Sequence, residues 1–309
     1  MVGGVTMRGQ ARVPGSCGEL VQGVVNGQYF LITCPIKLGA EVRVDLQPGG
    51  RVTGPREREK ALLAVRRALN YLASQWGARV EICNPLPLGK GLASSTADVV
   101  AAVVATAGAL GTELSLEVIT QLALAIEPSD GTFLPGIVRF DHLEGKEWDY
   151  LGQPPPLDIL IVDPGGVVDT IHFNRRRDLP TLNLAKEGEV REATRLVQEG
   201  LARERADLIA RGATLSALAN QGILYKPELE PILKIATSSG ALGVNTAHSG
   251  TVIGVLYRPG EVDVDDLEGR IRAAFPYVNF IRTTMTGGGV EVVDGPWLHQ
   301  GQDTVIAGN

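Results

Sequence analysis

The sequence predicts an α+β or α/β fold, and three features do so. Short β-prone runs and amphipathic stretches are intermixed along the whole chain. Glycine- and proline-rich turns separate them. A long alanine-rich stretch follows directly on a β-prone run and a glycine turn, a strand–turn–helix unit.

Residues 11–45 read as β structure, with runs at 20–25, 29–33 and 41–46. Asn26-Gly27 between the first two is a strong hairpin signal, since both residue types accept positive φ. Val42, Val44 and Leu46 alternate with Arg43 and Asp45, as in a strand with one wet face. Pro48-Gly49-Gly50 ends it. Residues 57–75 carry Leu62, Leu63, Val65, Leu69 and Leu72 at helical spacing. A strand at 80–83 leads into a turn at 84–95. The helix predicted at 93–110 is apolar enough to be buried on most sides. A further helix at 116–126 and a strand at 137–140 follow. The proline-rich break at 153–156 introduces a strand at 157–163 and the turn Pro164-Gly165-Gly166, and a domain boundary is placed there. Beyond it, 187–211, 214–221, 227–238 and 264–275 read as helices. The last runs from Asp265-Asp266 to Arg270 and Arg272, as its dipole prefers. Residues 251–257 and 290–293 read as strands.

The chain has 309 residues, 44% apolar and 21% charged, with a formal net charge of −6. That is a water-soluble profile, and its sign argues against nucleic acid or an anionic membrane as partner. Cys17, Cys34 and Cys83 form no CxxC pair or Cys/His cluster, which disfavours a zinc site or a disulfide framework and fits a reducing compartment. The first twelve residues lack a signal peptide's apolar core. The apolar run at 97–110 holds Asp98, Thr106 and Gly108 and is too short to span a bilayer. A cytoplasmic location is expected.

The central feature is Pro87-Leu88-Gly89-Lys90-Gly91-Leu92-Ala93-Ser94-Ser95-Thr96. Gly89 and Gly91 permit backbone angles and close approaches that side chains forbid. The helix that starts there presents unpaired N–H groups at the positive end of its dipole, a site for phosphate. Ser94, Ser95 and Thr96 add hydroxyls and Lys90 adds charge. An isolated GxG is more often a serine-capped turn. Here strand, glycines, hydroxyls and apolar helix coincide, which favours phosphate. The pattern is neither a GxxxxGK[ST] P-loop nor a GxGxxG dinucleotide turn.

This turn resembles the second motif of the GHMP kinases (galactokinase, homoserine kinase, mevalonate kinase, phosphomevalonate kinase). The resemblance implies ATP and Mg²⁺. It also implies a two-domain α+β fold: an N-terminal domain like ribosomal protein S5 domain 2 (1–165) and a ferredoxin-like C-terminal domain (166–309). Residues 11–23, ARVPGSCGELVQG, resemble the first motif, which places Ser16, Cys17, Glu19 and Gln22 near substrate. Many members carry lysine where this chain has Ser16, so no lysine-assisted mechanism is assumed. Thr246-Ala247-His248-Ser249-Gly250-Thr251-Val252 resembles the third motif, which closes over phosphate through Ser249 and Gly250. Thr284–Gly289 competes, but the first segment has a helix before it and a strand after it.

Within the family, the chain resembles the L-threonine kinases of cobalamin synthesis. The features are Pro14–Leu20 with Gln22-Gly23, Thr33-Cys34-Pro35-Ile36, Glu127-Pro128-Ser129-Asp130-Gly131-Thr132, Phe140-Asp141-His142 and Ala247–Thr251. That implies an amino-acid substrate, with homoserine as the alternative; a non-catalytic ligand-binding protein on the same fold is a third reading. Glu127-Pro128-Ser129-Asp130-Gly131 has ordinary turn composition. The resemblance turns it into an acidic pair: Glu127 with Ser94 or Ser95 for Mg²⁺, and Asp130 as general base or substrate-orienting group. Cys17 and Cys34 read as small buried residues rather than nucleophiles, and His142 and His248 as structural. Asp163 and Asp169 flank a turn without compelling chemistry. Arg175-Arg176-Arg177 reads as a solvated run.

Overall fold

A computed structural model describes residues 7–168 and 176–293. The long strands β1 (Arg8–Val25) and β2 (Gln28–Gln47) run antiparallel from the Asn26-Gly27 turn. Both turn residues take positive φ, 52° and 78°, the hairpin geometry that this pair favours. The register of β1 shifts between Pro14 and Val21. These irregularities bend the strand where the first motif lies.

The described strands form one eleven-stranded sheet. Beyond β2 come β4 (Gly77–Cys83) and the short β3 (Val52–Thr53). On the far side of β1 follow β8 (Gly243–Thr246), β9 (Ile253–Tyr257), β7 (Asp158–Asp163) and β10 (Asn279–Thr284). β5 (Ile137–Phe140) pairs β2, β6 (Trp148–Gly152) pairs β5, and β11 (Glu291–Val292) pairs β1. Strands β3, β6, β8 and β10 fall outside the sequence expectations.

Helices α1 (Glu59–Tyr71) and α2 (Ser94–Ala109) pack with β1 and β2 around one core. α2 is buried on nearly every side, as its composition predicts. It lies so close to β1 that a Cβ on Gly9 would sit 2.0 Å from the Ala105 carbonyl oxygen. α3 (Leu116–Leu124) packs on α2. In the second half, α4 (Leu179–Ala185) was not expected. α5 (Glu187–Ala202) and α6 (Ala206–Ala219) form an antiparallel pair that covers buried Cys17, Leu20 and Cys34. α7 (Leu229–Ser238) and α8 (Val264–Ala274) cover the third core, on β7, β8 and β9.

The helix predicted at 187–211 is two helices. Glu204 takes φ 52°, the Arg205 N–H donates to the Gly200 carbonyl (2.8 Å), and the Glu204 N–H donates to the Leu201 carbonyl (3.3 Å). This is a Schellman stop, which usually has glycine at the left-handed position. With glutamate there, the sequence carries no local stop signal. Among the described residues, no helix is long and apolar enough to cross a membrane.

Candidate active site

The glycine turn is held from two sides by distant segments. From β1, the Ser16 N–H donates to the Leu92 carbonyl (2.9 Å) and the Gly18 N–H to the Gly91 carbonyl (3.0 Å). From the loop after β8, the Thr251 and Val252 N–H groups donate to the Lys90 carbonyl (3.0 and 3.2 Å). Glycine is required at the contact: a Cβ on Gly91 would lie 2.2 Å from the Ala247 Cβ, and one on Gly250 would lie 2.4 Å from the Lys90 oxygen. Ala93 precedes α2 at φ 52° without a side-chain cap. The first N–H groups of α2 therefore remain available at the positive end of its dipole.

The turn forms one wall of a cleft of about 880 Å³. The segment after α3 forms the facing wall. There the Glu127 carboxylate takes the Ser95 hydroxyl on one oxygen and the Lys60 ammonium on the other. Asp130 lies alongside, its backbone N–H donating to Thr96 Oγ1 (3.2 Å) and its Oδ2 within 3.5 Å of the same hydroxyl. Desolvation, and then the negative charges of Glu19 and Glu127, push the Asp130 carboxyl up to about 7. It is thus poised to exchange a proton near neutral pH.

At the inner end, buried Glu19 accepts from both the backbone N–H and Nδ1 of His248, each at 2.9 Å. Ser216 Oγ lies 3.0 Å from His248 Nε2. Burial and the nearby Lys186 and Lys226 hold the imidazole well below its usual range, so it is neutral. Nδ1–H then donates to Glu19, and Nε2 accepts from Ser216. Burial also pushes Glu19 up and pushes Lys186 and Lys226 down to about 8. Lys226 donates to the Ala247 carbonyl (2.7 Å) and Lys186 to Asn220 Oδ1 (3.0 Å). Two buried polar atoms of cleft residues, Gln22 Oε1 and His142 Nδ1, have no hydrogen-bond partner among the described residues. Burial lowers His142 to about 4, so its ring is neutral. An unmet acceptor on a residue of the cleft wall is an environment for a ligand's N–H or O–H donors.

The structure places Pro87, Gly89, Gly91, Leu92, Ala93, Ser94, Ser95, Thr96, Ser249, Glu19, Gln22, Glu127 and Asp130 on this one cleft. Several of the expected residues have other contacts in this structure. The Lys90 ammonium is on Asp163 at 3.0 Å. Ser94 donates to the Leu86 carbonyl (2.9 Å) and accepts from Asn84 Nδ2 (3.1 Å), whereas the Ser95 hydroxyl is on Glu127. Ser16 and Cys17 are buried and do not line the cleft; the Cys17 Sγ faces Asn245 Oδ1 at 3.6 Å. Gly250 supports the turn from behind.

Of the two third-motif segments, 246–252 meets the turn. Residues 284–289 instead follow Pro35, Ile36 and Thr132. Asp169 and Arg175 lie outside the described residues; Arg176 is paired with Asp178. Arg56, Arg58 and Lys60 also line the cleft, and no motif in the sequence marks them; His142, which the sequence offered only as a structural histidine, lines it too.

Mg²⁺ takes oxygen ligands and few protein donors. Ser95 Oγ and Glu127 supply such a pair, and the ammonium already on Glu127 shows that this carboxylate draws a cation. Among the described residues, no cluster of three or more His, Cys, Asp or Glu could hold a metal by itself. Phosphate oxygens and water would complete the shell.

The model for the GHMP kinases N terminal domain matches residues 59–133, and that for GHMP kinases C terminal matches residues 197–276. An L-threonine kinase of Salmonella typhimurium is 32% identical over 263 residues, covering 84% of this chain and 87% of that protein. An L-threonine kinase of Citrobacter freundii is 31% identical over 295 residues, covering 91% and 99%. Among solved structures, homoserine kinase from Cytophaga hutchinsonii superposes with a TM-score of 0.71 at 20% identity, covering 93% of this chain and 98% of that one.

Proposed function

The chain belongs to the GHMP kinases, ATP-dependent enzymes that phosphorylate a hydroxyl, and from that premise we propose that it phosphorylates L-threonine to L-threonine O-3-phosphate. The observation that carries the reading is the meeting of the phosphate turn, Glu127 and Asp130 on one cleft whose inner end holds Glu19 and the unmet Gln22 acceptor. The relatives named L-threonine kinase support the choice of substrate. We further propose a cytoplasmic enzyme whose product feeds the aminopropanol linker of cobalamin, with working domains 1–165 and 166–309.

Phosphoryl transfer needs alignment, charge neutralisation and a place for the hydroxyl proton. The N–H groups of the turn and of α2 hold the phosphates. Ser95 and Glu127 would hold Mg²⁺, which when bound would supply charge neutralisation beside the phosphates. Glu19 and Gln22 take the substrate ammonium. Asp130, raised toward neutrality, accepts the proton from the threonine hydroxyl. Glu19 also receives His248, so the third loop and the substrate wall are joined through one carboxylate.

Homoserine, an isomer with its hydroxyl one carbon further out, uses the same residues, and the fold likeness to a homoserine kinase supports keeping it. The deciding experiment measures ADP release with Mg-ATP against L-threonine, L-homoserine, L-serine and mevalonate. At least tenfold higher kcat/KM for L-threonine is expected. Preference for another alcohol overturns the substrate assignment, and binding of amino acid without turnover overturns the kinase reading in favour of a ligand-binding protein.

A further inference from the structure

Phosphoryl transfer calls for positive charge beside the phosphates, and several positions near the turn are already committed elsewhere. Ser16 stands where many relatives have lysine. Lys90 is held on Asp163. Arg58 is held on buried Asp98 at 2.8 Å. Lys60 is placed differently. It is the second residue of α1, its side chain is 48% exposed, and it lines the same cleft as the phosphate turn. Its ammonium sits on Glu127, whose other oxygen takes Ser95. The lysine thus occupies the carboxylate that the divalent cation must use.

We propose that Lys60 is a place-holding cation: it neutralises Glu127 in the free protein, is displaced when the metal–nucleotide complex enters, and then pairs with the phosphate oxygens. The exchange leaves no ion unpaired. Glu127 passes from an ammonium to a metal, and the ammonium passes from a carboxylate to a phosphate. A lysine suits both ends, being a compact point charge on a flexible four-carbon stem. Its half-exposed position leaves that stem room to swing. The free carboxylate also has no need to carry an uncompensated charge in a partly buried wall. This role rests on the kinase reading of the cleft.

The two halves of the exchange predict effects of opposite sign. Lys60→Met keeps length and removes charge. Without nucleotide, Mn²⁺ binding followed by electron paramagnetic resonance should tighten several-fold, because the competing ammonium is gone. Binding of a non-hydrolysable ATP analogue in the presence of Mn²⁺, measured by calorimetry, should weaken about tenfold, and Lys60→Arg should recover most of it. An unchanged thermal midpoint checks that the variant is folded. Mn²⁺ binding that is unchanged or weaker, or analogue binding that is unchanged, overturns the proposal while leaving the kinase site standing. Wild-type protein that binds neither probe overturns both.

Discussion

At the scale of single residues, Asp130 is the group whose surroundings most change its chemistry. Desolvation together with two neighbouring carboxylates raises it to about 7. A base must be unprotonated to work, so kcat/KM should fall as pH drops below about 7 and level off above it. Asp130→Asn should lose about 10²- to 10⁴-fold in kcat, the usual range for general-base catalysis, and should lose the acidic limb of the profile. Steady-state rates between pH 5.5 and 8.5 test both, and near-normal turnover in the variant would refute the assignment. Glu127 and Asp130 could be picked out in the sequence only because a family pattern lifted them above an ordinary Pro-Ser-Asp-Gly turn. Lys60 could not, since it reaches the cleft from α1 with no motif around it, and His142 read only as structural although its Phe-Asp-His segment stood out. Ser94 and Ser95 look equivalent in the sequence, and only the fold separates them. One hydroxyl is used up by Leu86 and Asn84, and the other meets Glu127.

At the scale of elements, the glycine turn works as a layer pressed between two others. Gly91 has φ 82° and its Cα faces Ala247. Gly91→Ala adds both a left-handed alanine, costing about 1–2 kcal/mol, and a Cβ–Cβ clash. Nucleotide Kd should rise by more than tenfold, as calorimetry would show. Adding Ala247→Gly relieves the clash but not the backbone strain, so recovery should be partial. Full recovery, or no loss at first, would count against the layered account. Long apolar α2 was readable because burial on all sides leaves a composition that little else explains. Strand β8 was not: its four residues include buried Asn245, whose side chain donates to the Cys17 and Glu19 carbonyls. A polar residue there breaks the apolar pattern while satisfying the bulged strand beside it. The stop between α5 and α6 escaped for a similar reason, since glutamate does glycine's work.

At the scale of the whole molecule, mixed helix and strand content was plain in the sequence, but the sheet order was not. β1 meets β8 at a single pair, Glu19 with Thr246, and no local pattern encodes a pairing between residues so far apart. Burial around that junction has a measurable consequence. Lys186 and Lys226 are lowered to about 8 when folded. Between that value and their unfolded value the unfolded chain holds more protons, so their contribution makes stability rise with pH. Buried Cys17 and Cys34 are raised and act in the opposite sense above about pH 9, the ordinary range of a thiol. The thermal midpoint should therefore climb between pH 8 and 9 in the wild type and climb less in Lys226→Met. Equal slopes in the two proteins would show that this lysine is not the titrating group.

The sandwiching of Gly91 between Gly18 and Gly250 also sets an order of events during synthesis. One face of the turn is in place as soon as β1, β2 and α2 have left the ribosome. The other arrives only after roughly 140 further residues, about seven to thirty seconds later at ordinary elongation rates. Throughout that interval the nascent chain carries a half-built phosphate turn, so ATP can begin to stabilise the protein only near the end of translation.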